Sequence, residues 1–196
     1  GWRSTRPPGW HKDGWHFRHF LDTPQQGLLL CFFYDDILPD SGGTQICVDS
    51  IGVVARLLAQ HPEGIHPDTV QDYIKPYMIK ECGKFEELTG EAGDMAMMHP
   101  YMVHRVAANP SGRARFAQLP SIGLSEPMQF GRDDPGEYSL AELIVLKELG
   151  GLKRFDFATQ ADYATYPRED ITPPPSRTKE EWRAISVELY EEQQRM

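Results

Sequence analysis

The stretch GDMAMMHPYMVHRV, residues 93–106, decides how the chain is read. Gly93-Asp94 opens a short apolar run at 95–98. His99-Pro100 then breaks it, because proline has no N–H to give to a strand ladder, and His104 restarts it. Two short strands around a proline break, each carrying a histidine near its end, read as sheet that bears chemistry.

Working outward, residues 27–34 form a continuous apolar run that predicts a buried strand, and 44–48 alternate as a half-buried strand should. The turn between them, Pro39-Asp40-Ser41-Gly42-Gly43, suggests that the two pair. Apolar residues at 51, 54, 55, 58 and 59 predict a helix over 51–61, stopped by His61-Pro62-Glu63-Gly64. A second helix is expected over 67–79, with Asp68 or Thr69 near its N-cap and Pro76 disturbing its last turn. Further strands are expected at 103–107 and 115–119, around an Asn109-Pro110-Ser111-Gly112 turn. A helix over 138–149 ends at Gly150-Gly151, and a charged helix over 178–195 follows the proline-rich linker 172–175. The expected fold is mainly β with helical additions, a sandwich or barrel. It forms a single domain, 1–196, with its β core at about 7–125 and a helical part at about 126–196.

Composition narrows the function. A net charge of −9 with no Lys/Arg cluster lacks the electrostatic footprint of a nucleic-acid binder. Apolar runs of strand length fall short of the ~20 residues a membrane span needs. Three cysteines, Cys31, Cys47 and Cys82, without C-x-x-C spacing suit buried thiols in a reducing compartment better than a disulfide frame or a zinc cluster. The expectation is a soluble, intracellular, cytoplasmic protein with a small-molecule substrate, no nucleic-acid or membrane partner, and a homodimer left open.

The candidate chemistry begins at PPGWHKDGW, residues 7–15, whose His11 and Asp13 could close on one metal ion. With seven His and 14 Asp in 196 residues, about 0.5 His-x-Asp pairs are expected by chance, and a second occurs at His66-Pro67-Asp68. That second pair reads as a helix cap beside proline. A third ligand for His11 and Asp13 has two candidates, His99 and His104. Beyond the turn lie Arg113 and Arg115, two residues apart and so on one face of a strand; either could grip a carboxylate bidentately. Two histidines, one carboxylate and an anion clamp are the constellation of non-haem Fe(II) oxygenases.

Three motifs carry a resemblance: WHKDG at 10–14, DSGGTQICVDSIGVVARLLAQHPEG at 40–64, and GEAGDMAMMHPYMVHRVAANPSGRARF at 90–116. With them the chain resembles, over about residues 7–149, the phytanoyl-CoA dioxygenase family of Fe(II)/2-oxoglutarate oxygenases. The resemblance implies a double-stranded β-helix (jelly-roll, cupin-like) core, with His11, Asp13 and His104 as iron ligands. It places Arg115 on the distal carboxylate of 2-oxoglutarate and Thr44 as a hydroxyl on the same group. It further implies a dioxygenase that uses Fe(II), 2-oxoglutarate and O₂, releases succinate and CO₂, and most often hydroxylates a C–H bond of a small or lipid-like substrate. Asp13 disfavours halogenation, since related halogenases replace this carboxylate with a small residue.

The chain departs from the family pattern at Val48-Asp49-Ser50-Ile51, where members commonly read Pro-Gly-Ser-His, and at Val106, where a serine is frequent. Ten residues precede His11 where the family has many tens, so the N-terminal portion of the usual domain is expected to be missing. Two other readings remain: a catalytically silent metal-binding barrel, and a cupin-type oxygenase that dispenses with 2-oxoglutarate. Among the remaining residues, His16 and His19 are expected to be exposed and His99 to be packed. Trp10, Trp15 and Phe17 wall either a pocket or the core.

Overall fold

Strand β1 (Leu28–Phe33) is the apolar run expected from the sequence, and it is the spine of one sheet. The computed structural model describes residues 9–74 and 79–150, together with 178, 180, 181 and 184. On one edge β1 pairs antiparallel with β4 (Met95–Met98), Leu29 opposite Met98. Along its other edge run β6 (Ala117–Gln118) and β7 (Ser121–Ile122). Between them stands Pro120, which has no N–H for the ladder, although its carbonyl still accepts from Leu30 N–H at 3.0 Å. The strand expected over 115–119 is shorter, at 117–118, and the pairing resumes past the proline.

The second sheet has the order β3-β2-β5, all antiparallel: β3 (Phe85–Leu88), β2 (Thr44–Cys47) and β5 (Val103–Val106). Strand β3 was not expected, because Phe-Glu-Glu-Leu shows no apolar alternation. At a sheet edge it needs none. Its Glu87 carboxylate accepts from Gly43 N–H at 2.8 Å and Asp40 N–H at 3.1 Å, which fixes the turn that enters β2.

The sheets meet where Cys31 Sγ lies 3.7 Å from Thr44 Oγ1, and they share one apolar core. Leu29 and Phe33 enter it from β1, Ile46 from β2 and Val103 from β5. Helix α1 (Ser50–Ala59) buries Ile51, Val54, Ala55 and Leu58, the spacing read from the sequence, and packs against α4 (Leu140–Glu148). A capping box of Ser139 and Glu142 starts α4. Helix α2 (Pro67–Tyr73) differs from expectation at its cap: His66 Nδ1 accepts from Asp68 N–H at 3.3 Å, and Asp68 sits in the first turn, where a carboxylate suits the helix dipole. The short α3 (Ile79–Glu81) follows; Pro76 between them lies outside the described residues. So do the linker 172–175 and most of the helix expected over 178–195, although Thr178 and Glu181 exchange reciprocal capping hydrogen bonds. The chain is thus a mixed fold with antiparallel sheets and few helices, compatible with a mainly-β class. Among the described residues no helix is long and apolar enough to cross a membrane.

Two buried histidines brace this frame. His99 is packed, as expected: its Nδ1 accepts from Tyr101 N–H and its Nε2 donates to the Ala141 carbonyl, both at 3.1 Å. His19, expected to be exposed, is fully buried. Its backbone bridges to Ile65, and its ring Nε2 donates to the Gly14 carbonyl at 2.9 Å. Burial pushes His99 down to about 4; burial, and then the Lys12 charge, push His19 down to about 2. Both folded values lie below the unfolded one of about 6.5, so the unfolded chain takes up more protons as the pH falls. Their stabilisation is complete above pH ~6.5 and is lost below it, towards about 4 for His99 and lower still for His19. Denaturant unfolding at pH 7, 6 and 5 is expected to give falling stability, at up to about 1.4 kcal/mol per pH unit for each ring. His99→Gln is expected to flatten that slope; equal slopes in the variant and the parent chain would contradict the assignment.

Candidate metal centre

Residues 9–14 run beside the free edge of β5, and His11 and His104 exchange both backbone hydrogen bonds, at 3.0 and 2.9 Å. Such a pair projects its two side chains to one face. The rings accordingly lie 4.5 Å apart, centroid to centroid. Successive side chains alternate in an extended segment, so Asp13 returns to the side of His11 while Lys12 points into the core. Asp13 Oδ1 stands 3.6 Å from His11 Nε2 and 3.6 Å from His104 Nε2.

The tautomers follow from the partners. His11 Nδ1 faces the Gly9 carbonyl at 3.1 Å, and His104 Nδ1 faces the Met102 carbonyl at 3.0 Å. A carbonyl can only accept, so each Nδ1 carries the proton and each Nε2 keeps its lone pair, turned toward Asp13. For His104, burial holds the ring below the usual histidine range despite the raising effects of Met102 and Asp13. It is presented as a neutral ligand. Cis ligands at bond lengths of about 2.1 Å lie roughly 3 Å apart, so a carboxylate oxygen 3.6 Å from each imidazole nitrogen, with all three atoms within 4.8 Å, needs only small rotations to close on a divalent cation. These residues fit a two-histidine, one-carboxylate metal site.

The structure separates this triad from its rivals. His99 spends both ring nitrogens on the backbone, which removes it as the third ligand. His66 and Asp68, 3.7 Å apart, gather no third ligand among the described residues.

Lys12 was missed in the sequence, although alternation between two outward ligands would have turned it inward. It is fully buried, and its ammonium donates to His19 Nδ1 at 3.0 Å, Gln26 Oε1 at 2.9 Å and the Asp13 carbonyl at 3.2 Å. Its own carbonyl accepts from Gln71 Nε2 on α2. Phe17 and Tyr101 present their rings 5.8 and 5.6 Å from the nitrogen. Burial lowers this amine to about 7, against the raising effect of Asp13. Phe17 is therefore core. Trp10 is partly buried, packs under the Arg105 guanidinium at 4.4 Å and touches Phe85, while Trp15 is exposed.

Thr44 shares a strand face with Ile46, which stands opposite His104, so its hydroxyl lies along the same inner surface as the triad. Arg115, two residues before β6, donates to Thr44 Oγ1 at 3.3 Å. Arg113 is exposed, so of the two arginines only Arg115 is half-buried and turned to this surface. A mainly apolar cavity of about 710 Å³, lined by Met97, Leu124, Met128 and Tyr138 among others, lies elsewhere; none of His11, Asp13, His104, Thr44 or Arg115 lines it. No model of a known protein family matches the chain, and no curated protein does.

Gly14 closes the ligand loop at φ +111°, and a Cβ there would lie 2.5 Å from Phe17 and 2.6 Å from His19, both buried. Gly14→Ala is expected to cost at least about 1–3 kcal/mol from backbone strain alone and to weaken metal binding by displacing Asp13. Gly9→Ala, which meets nothing within 4 Å, is expected to be neutral. Melting curves and metal titration of both variants check this, and an unperturbed Gly14→Ala would overturn it.

Proposed function

We propose that the chain is an Fe(II)/2-oxoglutarate-dependent dioxygenase of the phytanoyl-CoA dioxygenase type, oxidising a C–H bond of a small-molecule or lipid-like substrate on a double-stranded β-helix core. The observation that carries this reading is the convergence of two Nε2 lone pairs on one carboxylate oxygen, each imidazole held in the right tautomer by a backbone carbonyl. Three protein ligands on one face leave room for a chelating co-substrate and O₂. Bound there, Fe(II) would supply the redox chemistry that couples O₂ to decarboxylation of 2-oxoglutarate to succinate and to oxygenation of the substrate.

The protein's own part is binding and orientation. Arg115 supplies a half-buried positive charge for the distal carboxylate of 2-oxoglutarate, where a charge-assisted, two-pronged contact is strongest. Thr44 accepts from Arg115, so its hydroxyl keeps a proton to donate to the same carboxylate. Asp13 is the sole anionic ligand, and with a divalent ion it leaves a net positive centre that attracts an anionic 2-oxo acid. His11, from the segment at 9–14, and His104, from β5, would hold the ion.

Anaerobic addition of Fe(II) and 2-oxoglutarate is expected to produce the weak visible charge-transfer band of a chelated 2-oxo acid. Arg115→Ala is expected to raise the 2-oxoglutarate requirement roughly ten- to hundredfold, the loss of about 1.5–3 kcal/mol, with iron affinity nearly intact. Arg113→Ala is expected to do much less. Iron binding without the band, or equal effects of the two arginines, would point instead to a metal-binding barrel that does not use 2-oxoglutarate.

A further inference from the structure

A second group of ligand atoms lies on the far end of β2. Cys47, the last residue of β2, Asp49, and Cys82 after α3 bring two sulfurs and a carboxylate oxygen within 4.8 Å of one another. Cys47 Sγ–H donates to Asp49 Oδ1 at 3.2 Å. Cys47 is fully buried and Cys82 nearly so, while Asp49 is exposed, so the group is walled on the protein side and open to solvent through the carboxylate.

The carboxylate is aimed by an unusual choice. Asp49 occupies the N-cap position of α1, where its side chain would ordinarily accept from the first-turn amides, yet it makes no capping hydrogen bond. It turns instead to Gly83 N–H at 2.7 Å and Lys84 N–H at 3.4 Å, beside Cys82. Those two amides fix its orientation toward the sulfurs, as outer partners commonly fix metal-ligating carboxylates. A Cβ placed on Gly83 would meet only Asp49 Oδ2, at 3.8 Å, so the space on that side of the loop is open enough for a water.

We propose that Cys47, Asp49 and Cys82 form a binding site for a thiophilic divalent cation of the zinc class, with water as a fourth ligand. Zinc–sulfur bonds of about 2.3 Å in a tetrahedron set the sulfurs roughly 3.8 Å apart, and the fold already gathers the three ligand atoms within 4.8 Å of one another. Binding replaces one proton on each thiol, and both protons leave to solvent: M²⁺ plus two thiols and a carboxylate gives a bis-thiolate carboxylate complex and two H⁺. No oxidant is involved. The soft sulfurs distinguish this site from the nitrogen and oxygen set of His11, Asp13 and His104. The two sites share no residue and stand or fall separately.

The probe is Cd²⁺, added under reducing conditions to the full chain carrying Asp13→Ala, which disables the other centre. The expected result is one equivalent bound with an ultraviolet sulfur-to-cadmium charge-transfer band, and displacement of that ion by Zn²⁺. Cys82→Ser, which spares the more deeply buried Cys47, is expected to weaken Cd²⁺ binding more than about tenfold and to reduce the band. Cys31→Ser is expected to leave both unchanged, since Cys31 lies on β1 against Thr44, at the other end of β2 from Cys47. Absence of the band, its survival intact in a folded Cys82→Ser chain, or its loss in Cys31→Ser would overturn the proposal.

Discussion

The two backbone hydrogen bonds between His11 and His104 are the constraint on which the rest of the candidate centre depends. They turn a segment near one end of the chain into an extra rung on β5, and strand geometry then dictates where three consecutive side chains go. His11 and Asp13 turn to one side, beside His104. Lys12 has no choice but the interior. A slip of one residue along β5 would put Lys12 among the ligands and drive both His11 and Asp13 into the core, so register is specified by chemistry on one face and by burial on the other.

That burial is itself a polar construction. An ammonium in the interior is tolerated because Lys12 meets His19, Gln26 and the Asp13 carbonyl, while aromatic faces of Phe17 and Tyr101 lie nearby. His19 in turn reaches Gly14 and, through its backbone, Ile65, so the ligand loop is fastened to the segment that leads into α2. A network of this kind is costly when half satisfied, and it holds its members in one arrangement when complete. Its placement directly behind His11 and Asp13 suggests why these candidate ligands sit on an otherwise irregular stretch of chain: rigidity comes from the far side of the loop.

What could be read in the sequence was what local pattern encodes. The apolar runs of β1, β2, β4 and β5 and the helical spacing of α1 are properties of adjacent residues, and each element formed close to its expected bounds. His11, Asp13 and His104 were legible as residue types at suggestive spacing, and the choice of His104 over His99 became physical once both nitrogens of His99 were found bonded to the backbone. Features set by distant contacts were illegible. Edge strand β3 lacks an apolar face because solvent covers it, His19 is buried by a bridge to Ile65, and Cys47 meets Cys82 only because β2 and the turn after α3 converge. Asp68, expected as a cap, lost that place to His66 two residues earlier.

The central claim is that one divalent ion is held by His11, Asp13 and His104, and it is tested most directly by titrating Fe(II) anaerobically into two variants, Asp13→Ala and Asp68→Ala. The same residue type is removed from the same His-x-Asp pattern in each, so only the three-dimensional setting differs. Loss of one of three ligands, and the sole anionic one, is expected to weaken binding by orders of magnitude in Asp13→Ala. Asp68→Ala is expected to bind as the parent chain does. Undiminished binding in Asp13→Ala, or its loss in Asp68→Ala, would contradict the assignment of the metal centre.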